Sequence, residues 1–200
     1  MGGNIKLRKI AVTGGIASGK STVCHLFEQL GAFTVSADAI VHQLLVPSTP
    51  LGKEIIALLG NEIVVGKALS RELIAQKVFS SPHLLEKLEK LIHPEVQKVI
   101  EAKYKTASQI DVPLFIAEVP LLFEAGLENF YDAVIVVISD EKACKERFKK
   151  DENEFLRRSQ RLMPIEEKIK KADWIIENNG TLDHLRQIIQ FTFNSLKENI

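Results

Sequence analysis

Cysteine is scarce: Cys24 and Cys144 are the only two in a chain of 200 residues. Each falls in a helical pattern, so both read as small buried hydrophobes rather than the halves of a disulfide. Net charge is lacking too, with 26 basic residues against 26 acidic ones. Without a global field, an anionic partner must be met by local basic clusters, and nothing marks a nucleic-acid binder. Long hydrophobic runs are missing as well. Stretches such as Ala133 to Ile138 are far too short to span a bilayer, so no membrane partner is expected. The opening MGGNIKLRKI has no apolar core of signal-peptide length, and Lys6 stands where a myristoylation motif wants Ser or Thr. There is no low-complexity tract and no repeat at solenoid period. The expectation is a cytoplasmic, monomeric chain with one sizeable core and a small appended lobe.

What is present is AVTGGIASGKST, residues 11 to 22. Ile10 to Thr13 reads as a buried strand and Ser21 to Leu30 as a helix. Between them lies Gly14-x4-Gly19-Lys20-Ser21, a phosphate-loop pattern in its strand-to-helix setting. Gly14, Gly15 and Gly19 let backbone N–H groups turn inward at a helix N-terminus, forming a nest for phosphate oxygens. Lys20 can reach the terminal phosphates, and the Ser21 hydroxyl can ligate Mg²⁺. The pattern indicates ATP or GTP with magnesium.

Strands near 10–13, 33–36, 113–119, 133–138 and 174–177 alternate with helical patterns, which predicts a parallel sheet covered on both faces. The second-to-third strand connection is too long for one crossover helix. Leu84, Leu85, Leu88, Leu91 and Ile92 fall at helical spacing, and Pro94 is read as opening a further helix carrying Val96, Val99 and Ile100. Residues 40–110 are therefore expected to be an inserted helical lobe suited to an acceptor, or else helices packed on the sheet. The nucleotide-binding core would comprise 6–39 and 111–200. Leu185 to Leu196 reads as a closing amphipathic helix.

A regulatory GTPase needs an Asp with Gly three residues later, and no Asp here has one. A motor ATPase would want an apolar strand ending in an acid, and PLFIAEV offers Glu118. Asp38, just past the apolar Ala32 to Val35, tips the balance toward transfer. Ligands in open α/β sheets sit beyond the carboxyl ends of the strands. A carboxylate there can accept the proton of an attacking hydroxyl or orient it in line. The other role open to Asp38 is to cap a helix over Ala39 to Leu45. From Glu141 to Lys171, 11 Lys or Arg stand against 7 Asp or Glu. Arg147, Arg157, Arg158 and Arg161 offer guanidiniums for charge developing on a transferred group, or else a solvated face.

Spacing alone names no acceptor. The segments AVTGGIASGKSTV, ADAI, LIHPEV, VPLLFE and ADWIIENNG, however, resemble the dephospho-coenzyme A kinase family almost from end to end. That resemblance implies a P-loop kinase core, a helical acceptor-binding domain and a mobile lid over 145–163. It implies transfer of the terminal phosphate of ATP to the ribose 3′-hydroxyl of dephospho-CoA, the last step of coenzyme A synthesis. By position it places Gly15 and Ala17, Ser18, Gly19, Lys20, Ser21 and Thr22 at ATP, with Asn178 and Gly180 near the base. It makes Asp38 the catalytic base and puts Asp38, His93, Pro120, Leu121, Leu122 and Glu124 toward the acceptor. Arg147 and Arg158, with Lys20, become catalytic cations. For His93 a helix cap before Pro94 is the competing role, and Leu121 and Leu122 can equally be core. Three positions depart from the family pattern: Ala17 replaces a usual Gly, Ser36 a common Asp, and Leu162 a frequent Gln. The classes carried forward are this kinase, another P-loop small-molecule kinase of nucleoside-monophosphate type, and a P-loop ATPase or nucleotide-dependent binding protein.

Overall fold

The computed structural model describes residues 6–79, 81–148 and 151–198. In chain order the elements are β1 (Lys9–Gly14), α1 (Lys20–Gln29), β2 (Phe33–Ser36), α2 (Ala37–Leu44), α3 (Pro50–Leu59), β3 (Val64–Val65), β4 (Ala68–Leu69), α4 (Arg71–Phe79) and α5 (Pro82–Ala107). There follow β5 (Phe115–Glu118), β6 (Ala133–Ile138), α6 (Glu141–Arg147), α7 (Glu152–Ser159), α8 (Ile165–Lys170), β7 (Trp174–Glu177) and α9 (Leu182–Glu198). They fall into two compact units. One is the chain up to Ser36 together with the chain from Tyr104; the other is Ala37–Lys103.

The first unit is built on a parallel sheet of order β2-β5-β1-β6-β7. A central parallel strand is covered on both faces, which is why β6 reads as an unbroken apolar run and every residue of β1 is buried. Ile10, Val12, Ile116, Ile135 and Val137 share a core with Val23, Leu26 and Phe27 of α1 and with Leu185, Ile189 and Phe193 of α9. Each large side chain buried outright there, such as Phe27, contributes roughly 1.5–3 kcal/mol. Phe115 stacks on Phe33 at 5.7 Å and meets Tyr104 edge-on at 5.4 Å. Two aspartates pin the strand starts. Asp132 accepts the Lys9 N–H at 2.8 Å, and Asp173 accepts the Val134 N–H at 2.8 Å. Partial burial works against the charge on Asp132, but that N–H and the Lys6 ammonium outweigh it and hold the carboxyl below its ordinary range.

The second unit has a core of its own, formed by Leu45, Leu51, Ile55, Leu59, Ile63, Leu69, Ile74, Val78 and Leu88. Thr49 caps α3 by accepting the Gly52 N–H at 3.0 Å, with Pro50 in the first turn. The unit is bounded at Ala37 and Lys103, where the sequence reading placed 40 and 110. It also contains the antiparallel pair β3–β4, which that reading did not foresee.

One expectation and two of the open alternatives are corrected here. Pro94 does not open a helix; it lies inside α5, which is continuous from Pro82 to Ala107. The apolar period runs unbroken from Leu84 and Leu88 through Val96 to Ile100. Pro94 and Lys90 both lie on the exposed side, where water can take the carbonyl that a proline cannot serve. His93 is accordingly a mid-helix residue and caps nothing. Asp38 is not an N-cap either, because α2 begins at Ala37 and the aspartate occupies its first turn. A carboxylate there still favours the helix through the positive end of its dipole. Among the described residues no helix is long and apolar enough to cross a membrane.

Candidate active site

The phosphate loop leaves β1 at Gly14 and enters α1 at Lys20. Its shape is set by two close approaches. Gly14 lies beside Val137 in the neighbouring strand, and a Cβ there would meet the Val137 carbonyl oxygen at 2.1 Å. Gly19, at φ 97°, leaves room for the Asn178 amide, which a Cβ would meet at 2.1 Å. Asn178 uses that room to donate to the Ser18 carbonyl at 2.9 Å, tying the start of the helix to the end of β7. The loop's N–H groups and the amino end of α1 thus form an anion cradle fixed from two sides. The Ser18 hydroxyl is buried in it without a hydrogen-bond partner.

Ala17 is, among the described residues, the only non-glycine with positive φ, at 53°. The left-handed region costs an L-residue about 1–2 kcal/mol, part of which glycine returns through its larger unfolded-state entropy. Ala17→Gly should therefore raise Tm by about 1–3 °C. Thermal unfolding checks this, and an unchanged or lower Tm would show that the methyl makes compensating contacts.

Chemical groups converge on this cradle. The Lys20 ammonium donates to the Gly15 carbonyl at 2.7 Å, which holds it back along the loop. The Ser21 hydroxyl donates to Glu118 Oε1 at 2.8 Å, bringing the end of β5 to the first turn of α1. Thr22 is exposed beside it. Arg147, at the end of α6, donates to the Ser139 hydroxyl and to the Asn178 carbonyl, each at 3.0 Å. It is held against the sheet unit by these bonds. Asn179 accepts from the Ser139 hydroxyl at 2.9 Å and from the Asp140 N–H at 2.8 Å, bracing the same corner. Gly180 follows, where a Cβ would lie 3.0 Å from the exposed His184 ring and push it aside by a few tenths of an ångström. Cys24 is packed beneath the loop, where burial pushes its thiol far above the ordinary range and leaves it inert.

The PLLFE segment lies in the same unit. Leu122 and Phe123 are core, whereas Pro120 and Leu121 are half-buried. Glu124 does not hang free: its Oε1 accepts the Met163 N–H at 2.8 Å and pairs with the Lys168 ammonium at 2.8 Å. Arg158 on α7 is tied to Glu154 at 2.5 Å and lies over the Phe148 ring at 5.8 Å. Part of the 145–163 segment, residues 149 and 150, lies outside the described residues. Asp38 and His93 belong to the second unit. His93 is partly buried in α5, and that burial holds its imidazole below the usual range although Glu89 opposes the shift.

Sequence reasoning read Glu118 only as the acid that a motor ATPase would want at the end of a strand and passed over Lys168 and Asn179. For Glu118 the signal was available, an acid closing an apolar strand. For Lys168 there was none, since EEKIKK reads as an ordinary solvated helix.

A family model described as dephospho-CoA kinase matches residues 8–184 of the chain. The chain is 45% identical to a dephospho-CoA kinase of Chlamydia trachomatis serovar D, over 98% of this chain and all of that one. Among solved structures, a Thermus thermophilus protein superposes with TM-score 0.80 at 33% identity, covering 95% of this chain and 98% of its own. A dephospho-CoA kinase from Campylobacter jejuni does so with TM-score 0.71 at 27% identity, covering 95% and 97%. With its phosphate loop, its Ser21–Glu118 pair and a match of this extent, the chain belongs to the dephospho-CoA kinase family.

Proposed function

We propose that the chain transfers the terminal phosphate of ATP to the ribose 3′-hydroxyl of dephospho-CoA, giving CoA and ADP, as a cytoplasmic monomer. The observation that carries the site reading is the closed loop, with Lys20 and the Ser21–Glu118 pair at its mouth. Residues 15 and 17–22 bind the ATP phosphates through backbone N–H groups and the Lys20 ammonium, and Asn178 and Gly180 border the base. Asp38 takes the proton of the attacking hydroxyl. His93 and the Pro120–Glu124 segment bind the acceptor. Arg147 and Arg158 stabilise charge on the transferred group.

Among the described residues no cluster of three or more His, Cys, Asp or Glu could cage a metal. A hydroxyl and a carboxylate 2.8 Å apart suit Mg²⁺ nonetheless, because that ion keeps several waters and shares its shell with phosphate oxygens. Ser21 and Glu118 would hold it, and it would supply neutralisation of phosphate charge. The test is ADP release with and without acceptor. Release that depends on dephospho-CoA supports the reading, whereas steady acceptor-independent hydrolysis would replace it with a P-loop ATPase.

Arg158 must leave Glu154 to reach a phosphate, so the segment from α7 to Arg161 acts as a closing lid that also excludes water. Arg158→Ala should lower turnover about 10–10²-fold and raise the share of ATP lost to water. Hydrogen exchange over 151–161 should slow when ADP and CoA are added. Equal exchange in both states, with an unchanged transfer-to-hydrolysis ratio, would make these arginines a solvated face.

A further inference from the structure

Lys168 is the most thoroughly buried charge described in the first unit, with 1% of its side chain exposed on the six-residue helix α8. An ammonium in such a place is costly to hold, and apolar residues of similar volume often replace a buried ion pair with no loss of stability. Stability alone is therefore a poor account of it. Its contacts are more informative. The ammonium lies 2.8 Å from Glu124 Oε1 and 3.5 Å from the Pro120 carbonyl, so it touches both ends of the Pro120–Glu124 segment. The same Pro120 carbonyl accepts the buried Thr13 hydroxyl at 3.2 Å, one residue before the phosphate loop opens. The same Glu124 oxygen accepts the Met163 N–H at 2.8 Å, where the arginine-bearing segment rejoins the sheet unit. Leu122 and Phe123, buried between the two ends, anchor the segment itself.

We propose that Lys168 is a positioning residue for phosphoryl transfer: by holding Pro120 and Glu124 together it sets the register between the phosphate loop and the arginine segment that closes over it. The proposal rests on the kinase reading above. Glu124 keeps 17% side-chain exposure, so without the ammonium its carboxylate is free to turn to water and release Met163. The Arg158 guanidinium, five residues upstream of Met163, then approaches the transferred phosphate from an unfixed base. Misplacement of that kind, on the order of 1 Å, costs about 10²-fold in rate without abolishing binding.

The experiment compares the full-length wild type with Lys168→Met and with Lys168→Met/Glu124→Gln. In the double variant no unpaired charge remains, but no ammonium fixes the side chain at position 124 against the Met163 N–H. Steady-state transfer to dephospho-CoA, acceptor-independent ATP hydrolysis, thermal unfolding and Met163 amide exchange are measured on each. Both variants are expected to exchange faster at Met163 and to lose about 10–10²-fold in kcat, with KM for ATP within about threefold of wild type in both and KM for dephospho-CoA within about threefold in Lys168→Met. The double variant should recover Tm but not kcat. Wild-type kcat in a folded double variant would overturn the positioning role, as would a loss confined to KM for dephospho-CoA in Lys168→Met. Wild-type protein that transfers nothing to dephospho-CoA would instead overturn the kinase reading along with it.

Discussion

Lys20→Ala is expected to lower kcat/KM for ATP by about 10³-fold or more, a loss of roughly 4 kcal/mol in transition-state stabilisation. Lys20 opens α1, and its ammonium is held by the Gly15 carbonyl at 2.7 Å, so it lies along the loop it serves. When ATP binds, the ammonium exchanges that carbonyl for phosphate oxygens. The backbone N–H groups that remain after substitution cannot replace a full charge at the terminal phosphates. The fold should tolerate the change, since alanine is the strongest helix former and the loop is held independently by Asn178. ATP titration and steady-state transfer check this on protein of unchanged Tm. Near-normal affinity and rate would remove the phosphate-loop assignment.

The second large effect belongs to Asp38. Asp38→Asn should cut kcat about 10²-fold while ATP affinity stays within about threefold, the pattern of a group acting only in the transition state. The structural side of the substitution is small. Asp38 occupies the first turn of α2, where its charge favours the helix by about 0.3–1 kcal/mol, and asparagine forfeits at most that much. It lies two positions after Ser36, which ends β2 in register with Glu118. Turnover unchanged in Asp38→Asn would leave this carboxylate with a helix-dipole role and nothing more.

The parts of the molecule that obey a short-range rule were legible in the sequence. Five apolar strands, the loop pattern and the closing helix follow from periodicity and glycine spacing, and each lies within a few residues of its expected place. Pro94 was misread because proline was taken as punctuation. The apolar stripe of α5 continues past it, and an exposed position in a long helix tolerates the missing N–H. The β3–β4 pair is only two residues per strand, below the length at which alternation can be seen. Ala17 was recognised as a departure, but its φ of 53° is a property of the folded loop. Least legible was the Lys168–Glu124 contact, which joins residues 44 positions apart through burial that local pattern does not encode.

The glycine at position 19 has a consequence for engineering. Its missing side chain is occupied by Asn178, 159 positions later, so the loop is half of a lock whose other half is on β7's far end. The loop is therefore not a portable cassette. Transplanting residues 14–22 into another parallel-sheet scaffold would also require an amide at the equivalent of 178 and a strand backbone spaced like that of Val137. A chimera that copies the loop alone would inherit the recognisable motif while its helix start remained unanchored.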